Sequence, residues 1–226
     1  MIGPGLGALT LPLAQRARKL VAVEADRDMA QILAVLPKDD ANATVVNEPF
    51  EHWKPTGLGA RPLVIGNLPY NLTTKLIECA VKTKAQAMGF MVQREVADRL
   101  SAQPGSRDCG ALSCYLALLG EVKIAVYVPK GAFYPVPKVD SAFVSLAITR
   151  QVPFAAYRGL KKLFVTPNKR LGNVLRNLVG DVQKQKALMA EFAPLLELRA
   201  HQVPAADLQR LALAVEKATG SGKSVA

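Results

Sequence analysis

The chain has 226 residues, enough for one medium-sized domain and a second, smaller one. Its formal charge of +11 and pI near 9.7 favour a polyanionic partner, nucleic acid before a membrane surface, although a basic surface without a partner is the alternative. An apolar content of 50% excludes a wholly disordered chain, and no apolar run reaches membrane-spanning length. We therefore expect no membrane partner.

The cysteines at positions 79, 109 and 114 have neither disulfide nor metal-ligand spacing, and the chain has only two histidines. We therefore expect no metal site. An odd number of unpatterned thiols fits a reducing compartment. Because no signal peptide is recognisable at the start, we expect a cytoplasmic protein.

A glycine-rich turn opens the chain, at Gly3, Gly5 and Gly7. Such a turn lets the backbone approach a ligand, and the helix predicted over 8–18 would offer free N–H groups behind it. The strand predicted at Lys19–Val23 ends in Glu24. An acidic residue about 20 positions beyond the glycines has the spacing at which a carboxylate accepts ribose hydroxyls. A tight turn with a surface glutamate is the alternative.

Two further strands follow, and each ends in polar residues. The strand predicted at Ala43–Val46 precedes Glu48, which either contacts the amino group of an adenine or is a solvated carboxylate. The run Leu63–Gly66 is typical of a buried parallel strand. Its carboxyl end is where open α/β sheets bind ligands.

The four residues after that run form the candidate catalytic corner Asn67-Leu68-Pro69-Tyr70. Pro69 fixes its own φ and favours an extended Leu68. The Asn67 side-chain oxygen and the Leu68 carbonyl can accept the two N–H groups of an adenine amine, which would localise its lone pair. Tyr70 can stack on the base. A strand-to-helix turn, with Asn67 as a local cap and Tyr70 as packing, is the alternative.

A stiff, proline-rich loop joins the last two predicted strands, Val122–Val128 and Ala142–Ile148. In this loop Phe133 can wall a base pocket, and Lys138 can meet a phosphate. A rigid connection with solvated lysines is the alternative.

Strands alternating with helices predict an α/β fold whose sheet is mostly parallel, with an antiparallel pair at one edge. Beyond residue 150 the patterns are helical only, at 153–165, 168–179, 182–192 and 206–217. We therefore predict two domains, an α/β domain over 1–150 and a small helical domain over 151–226.

Five motifs in order resemble one protein family. They are Gly-Pro-Gly-Leu-Gly-Ala-Leu-Thr at 3–10, Val-Ala-Val-Glu at 21–24, Asn-Leu-Pro-Tyr-Asn at 67–71, Gln-Arg-Glu-Val-Ala-Asp-Arg-Leu at 93–100 and Phe-Tyr-Pro-Val-Pro-Lys-Val-Asp-Ser-Ala at 133–142. The set is similar to the small-subunit ribosomal RNA adenine dimethyltransferases of the KsgA type. The last motif favours them over the related erythromycin-resistance methyltransferases.

The resemblance implies a Rossmann-like methyltransferase domain followed by a small helical, RNA-contacting domain. The methyl donor would be S-adenosyl-L-methionine. The acceptors would be two adjacent adenosines near the 3′ end of 16S rRNA, methylated on their exocyclic amino groups during ribosome biogenesis. The substrate would be the rRNA or the small ribosomal subunit, and we expect a monomer.

The resemblance also assigns residue roles. The donor site would comprise Gly3, Gly5, Gly7, Glu24, Glu48 and Asn67, with Glu24 on the ribose. The catalytic corner would be Asn67, Leu68, Pro69 and Tyr70, and the target base would also meet Phe133 and Lys138.

The chain departs from the family pattern at its start. The family has an N-terminal segment that covers the donor and supplies the first strand, which this sequence is expected to lack, and Glu48 replaces an aspartate. An alternative function follows, a non-catalytic rRNA-binding or ribosome-assembly protein with an impaired donor site. A DNA adenine methyltransferase sharing the Asn-x-Pro-Tyr corner is a third hypothesis.

Overall fold

The computed structural model describes residues 1–35, 42–56, 58–59 and 62–220. The strands are β1 (Leu20–Glu24), β2 (Ala43–Asn47), β3 (Leu63–Asn67), β4 (Ala87–Gln93), β5 (Gly120–Val128) and β6 (Ser141–Ile148). The helices are α1 (Thr10–Ala14), α2 (Arg27–Val35), α3 (Thr73–Lys82), α4 (Arg94–Ser101), α5 (Ala111–Leu119), α6 (Phe154–Leu163), α7 (Leu171–Leu178), α8 (Val182–Glu191) and α9 (Ala205–Thr219). Among these residues, no helix is long and apolar enough to cross a membrane.

The strands confirm the predicted mixed sheet. The pair β1 and β2 is parallel, with Glu24 opposite Asn47, and the pair β3 and β4 is parallel, with Asn67 opposite Met91. Strand β6 runs antiparallel to β4 and separates it from β5 in the order β3-β4-β6-β5. The parallel strands therefore bring Glu24, Asn47 and Asn67 to the carboxyl edge of the sheet, where ligands bind in this class of fold.

Met1 to Gly3 lie between β1 and β3, although no strand precedes α1 among the described residues. Ile2 bridges both Val23 and Gly66 in parallel fashion. Its N–H donates to the Ile65 carbonyl at 2.8 Å, and the Val23 N–H donates to the Met1 carbonyl at 2.9 Å. These bonds satisfy backbone groups that a missing strand would leave unpaired in the sheet interior. Ile2 itself is 2% exposed and belongs to the core.

Helix α1 is much shorter than the predicted helix over 8–18. The Asn42 side-chain amide donates to the carbonyl oxygens of Ala14 and Ala17, at 3.0 and 2.5 Å. A side chain distant in sequence thus satisfies carbonyls that a longer helix would have paired internally. Helix α1 ends at the residue where the Asn42 contact begins. A local sequence pattern does not predict a contact with a residue so far along the chain.

The chain divides into two compact units. One consists of Met1–Ala97 and Lys123–Ile148, and the other of Asp98–Val122 with the chain from Thr149 onward. The second unit contains all the predicted C-terminal helices, and it also takes in α5, which the sequence assigned to the first domain. The two functional domains divided at residue 150 stay a prediction.

Helix α5 belongs to the second unit because its aromatic residue packs on α6. The rings of Tyr115 and Tyr157 lie 5.2 Å apart, and Phe154 contacts both. The Tyr115 hydroxyl donates to the Val152 carbonyl at 3.0 Å, and burial raises the pKa of Tyr115 to about 12. This aromatic cluster holds α5 to the helical unit.

The expectation that no cysteines pair is wrong for two of the three. Cys109 and Cys114 form a disulfide at the start of α5, with their Cα atoms 6.1 Å apart. Cys109 lies just before α5, and the first turn of the helix brings Cys114 back to a Cα distance that a disulfide permits. Cys79 is a free thiol, and partial burial raises its pKa.

Candidate active site

The glycine-rich turn has the backbone that its sequence predicts. Gly3, Gly5 and Gly7 all have positive φ, at 57°, 55° and 91°. These values are strained for other residue types, so glycine is required here. A Cβ on Gly3 would lie 3.4 Å from the Asn67 carbonyl oxygen, whereas one on Gly5 would meet nothing within 4 Å. The turn therefore lies beside the Asn67 corner and is open at its centre.

The Glu24 carboxylate is fixed at the end of β1 by the same turn. The Gly5 N–H donates to its Oε2 and the Asp26 N–H donates to its Oε1, both at 3.1 Å. A carboxylate has about four acceptor positions, so these two bonds orient Glu24 and leave acceptor capacity for ligand hydroxyls. A half-buried, oriented carboxylate next to an open glycine turn can accept the hydroxyls of a ribose.

Asn47 is a residue of this site that the sequence analysis missed. Its side-chain amide donates to the Glu24 carbonyl at 2.9 Å and joins the carboxyl ends of β1 and β2. Glu48 follows directly and is half-buried. A polar residue at the end of a predicted parallel strand could have pointed to Asn47. Its position opposite Glu24 follows only from the register between β1 and β2.

The Asn67 corner is held from beneath by main-chain and hydroxyl bonds. The Leu68 N–H donates to the Met91 carbonyl at 3.1 Å, and the Leu68 side chain is 1% exposed. The buried Thr73 hydroxyl donates to the Pro69 carbonyl at 3.1 Å and to the Tyr70 carbonyl at 3.3 Å. Asn67 is exposed at the end of β3. The corner is thus rigid on its inner side and open towards solvent at Asn67.

Tyr70 is half-buried, and its hydroxyl lies 2.9 Å from the Ser141 hydroxyl, at the start of β6. Ser141 directly follows the proline-rich loop, whose end is fixed by Asp140. The Asp140 carboxylate accepts from the Lys130 N–H at 3.0 Å, and its carbonyl accepts from the Arg94 N–H at 3.0 Å. Both ends of the loop therefore meet beside the carboxyl end of β4.

Phe133 and Lys138 lie in this loop, the former half-buried and the latter exposed. The placement of Phe133 opposite Tyr70, and of Lys138 on a phosphate, stay predictions. Ser141 and Asp140 lie within the last of the five motifs, but their roles could not be predicted because their partners are distant in sequence.

The chemistry of this edge suits two adjacent ligands. One side offers an oriented carboxylate and an open glycine turn, and the other an amide, a carbonyl and an aromatic ring. Two hydrogen-bond acceptors beside a ring can receive a flat base with an amino group, which is a poor nucleophile until its lone pair is localised. The two groups are neighbours, since Gly3 lies beside the Asn67 carbonyl.

Comparisons with known proteins show which family the chain resembles. The family model described as Ribosomal RNA adenine dimethylase matches residues 1–213. A Ribosomal RNA small subunit methyltransferase A from Leptothrix cholodnii is 35% identical over 222 residues, which cover 96% of this chain and 80% of the relative. One from Legionella pneumophila (strain Lens) is 38% identical over 187 residues, 79% of this chain and 73% of the relative.

Two solved structures share the fold. A dimethyladenosine transferase from Plasmodium falciparum has a TM-score of 0.76 at 22% identity, covering 96% of this chain and 88% of its own. The 23S rRNA methyltransferase ErmE has a TM-score of 0.63 at 23% identity, covering 97% and 89%. These likenesses confirm the predicted Rossmann-like methyltransferase fold. Because the family model spans nearly the whole chain and the relatives exceed 30% identity over most of their length, the chain belongs to the ribosomal RNA adenine dimethylase family.

Proposed function

We propose that the chain transfers methyl groups to the exocyclic amino groups of two adjacent adenosines near the 3′ end of 16S rRNA, in ribosome biogenesis. The single observation that carries this proposal is that the glycine turn lies beside the Asn67 corner, where a Cβ on Gly3 would come within 3.4 Å of the Asn67 carbonyl oxygen. The family consists of rRNA adenine dimethyltransferases that use S-adenosylmethionine as methyl donor.

On the donor side, Glu24 would accept the ribose hydroxyls, since the Gly5 and Asp26 N–H groups already orient its carboxylate. Gly3, Gly5 and Gly7 would line the rest of the pocket, and Glu48 would meet the donor's adenine. The bound donor supplies an electrophilic methyl group on a sulfonium.

On the acceptor side, the Asn67 side-chain oxygen and the Leu68 carbonyl would each accept one N–H of the adenine amine. Two such bonds localise the nitrogen lone pair and aim it at the methyl group. Tyr70 and Phe133 would hold an extruded base between two rings. Pro69 would keep the corner stiff, and Lys138 would bind the RNA backbone.

No strong general base is needed in this scheme, because the amine becomes acidic only after it has attacked the methyl group. Dimethylation requires the same corner to admit the amine again with one methyl attached. The exposed position of Asn67 supports such re-entry.

We further propose that the chain acts as a monomer in the cytoplasm, with the small subunit or its rRNA as partner and no membrane. The net charge of +11 supports an RNA partner.

The test is label transfer from S-adenosylmethionine to small subunits that lack this methylation. Wild type should give dimethyladenosine, and Asn67→Ala should lower the rate about a hundredfold or more, the cost of losing a hydrogen bond at the reacting group. Asn177→Ala, an exposed amide on α7, serves as the matched control and should methylate normally.

Two results would contradict the proposal. Salt-sensitive RNA binding without donor binding would support the alternative, a non-catalytic rRNA-binding or assembly protein. Methylation of DNA in preference to rRNA would support a DNA adenine methyltransferase.

A further inference from the structure

We propose that Ser141 is a positioning residue for the acceptor pocket. Its hydroxyl holds the Tyr70 ring and links that ring to the point where the proline-rich loop re-enters the sheet. This inference rests on the proposed function, since it concerns how that pocket keeps its shape.

The Ser141 hydroxyl is buried and therefore needs a hydrogen-bond partner within the protein. The residue is 0% exposed, and its Oγ lies 2.9 Å from the Tyr70 Oη. A buried hydroxyl without a hydrogen bond would cost stability, so the two groups hold each other in place. The two residues are 71 positions apart in the chain, so the bond joins separate elements.

Tyr70 is thereby held both at its main chain and at its side-chain hydroxyl. The Thr73 hydroxyl donates to the Tyr70 carbonyl at 3.3 Å, and Ser141 holds the phenol. A ring with a fixed main chain and a fixed hydroxyl has little freedom about its two side-chain torsions. A fixed plane is what stacking on a base requires if the amine is to point at the donor.

Ser141 is itself held in a rigid frame. It pairs with Gln93 in the antiparallel ladder between β4 and β6. The residue before it, Asp140, is bonded through its carbonyl to the Arg94 N–H and through its carboxylate to the Lys130 N–H. The position of Tyr70 is therefore coupled to both ends of the loop that carries Phe133.

The second methyl transfer should depend most on this coupling. A monomethylated amine has one N–H left, so one acceptor bond that oriented it in the first step is lost. Stacking against a fixed ring then carries more of the orientation. A loosened Tyr70 should slow the second transfer more than the first and let monomethyladenosine accumulate.

The test is a double-mutant cycle with Ser141→Ala, Tyr70→Phe and the double variant. Both single changes remove the same hydrogen bond, and Tyr70→Phe keeps the ring and tests the bond even if Ser141→Ala folds poorly. Ser145→Ala is the control, since its hydroxyl is on the same strand and donates only a long bond of 3.5 Å to the Lys123 carbonyl.

We expect each single variant to lower the rate constant of the second methylation about five- to tenfold, with a smaller effect on the first. The double variant should be no slower than the slower single variant, because the bond can be lost only once. Donor affinity, measured by calorimetry, and the product ratio of Ser145→Ala should match wild type.

Two results would overturn the inference. In the first, the two effects multiply in the double variant. In the second, both single variants keep the wild-type ratio of monomethyl to dimethyl product, whether or not their melting temperatures fall. A wild-type chain that methylates no rRNA would instead overturn the proposed function and this inference together, so the two failures can be told apart.

Discussion

At the scale of single residues, the Glu24 carboxylate is oriented by the protein's own backbone. Its two carboxylate oxygens each accept a backbone N–H, one from the glycine turn and one from the residue that begins the turn into α2. Asn47 holds the Glu24 main chain from the neighbouring strand. The Glu24 side chain and main chain are therefore both held by groups of the protein.

We expect Glu24→Ala to weaken binding of S-adenosylmethionine by about tenfold to a hundredfold, because hydrogen bonds to a charged group contribute about 1.5–3 kcal/mol. Isothermal titration calorimetry measures this directly. Asp28→Asn, an exposed acidic residue in the first turn of α2, is the matched control and should bind as wild type. Equal affinity of the Glu24 variant and wild type would place the donor elsewhere.

At the scale of elements, close packing depends on glycines that do not stand in turns. In the second unit, a Cβ on Gly159 of α6 would lie 1.9 Å from the Ala212 carbonyl oxygen of α9. In the first unit, a Cβ on Gly66 would lie 2.8 Å from the Ile2 carbonyl oxygen. Each glycine lets one backbone approach another to a distance that no larger residue permits.

We expect Gly159→Ala to destabilise the helical unit by about 3 kcal/mol, since overpacking at a backbone contact forces the two helices apart. Urea unfolding monitored by circular dichroism measures the change. Gly180→Ala adds the same methyl group where no atom lies within 4 Å, and it should change stability by less than about 0.5 kcal/mol. Similar losses in both variants would show that helix contact is not the cause.

At the scale of the whole molecule, charge is the dominant feature. A net charge of +11 over 226 residues gives the chain a field that attracts polyanions at a distance. Such binding depends on released counterions, so it weakens as salt rises.

We expect the affinity for a small-subunit rRNA fragment to fall at least about tenfold between roughly 50 and 200 mM salt. Fluorescence anisotropy at several salt concentrations gives the slope. Lys138→Ala should reduce the slope by about one, the value for one phosphate contact. If the slope is unchanged in this variant, Lys138 does not contact an RNA phosphate. An affinity that does not depend on salt would argue against RNA as the partner.

Short local patterns predicted much of this protein. The apolar runs ending at Val23 and Gly66 predicted strands with Glu24 and Asn67 at their ends, and the glycines predicted the turn, because strands and positive φ both favour particular residue types. The predicted burial is confirmed for β1, whereas β3 is only partly buried, with Leu63 exposed at its start. The helical patterns after residue 150 predicted the C-terminal helices for the same reason.

The α/β class and the residues at the strand ends could be predicted from residue types within a few positions of one another, and the family from five such motifs in order along the chain. The bridges of Ile2 to β1 and β3, the bonds of Asn42 at the end of α1 and the bond between Ser141 and Tyr70 are visible only in the folded structure. Each of these contacts joins residues far apart in the chain. Strand register and packing set such contacts, and no local pattern records them.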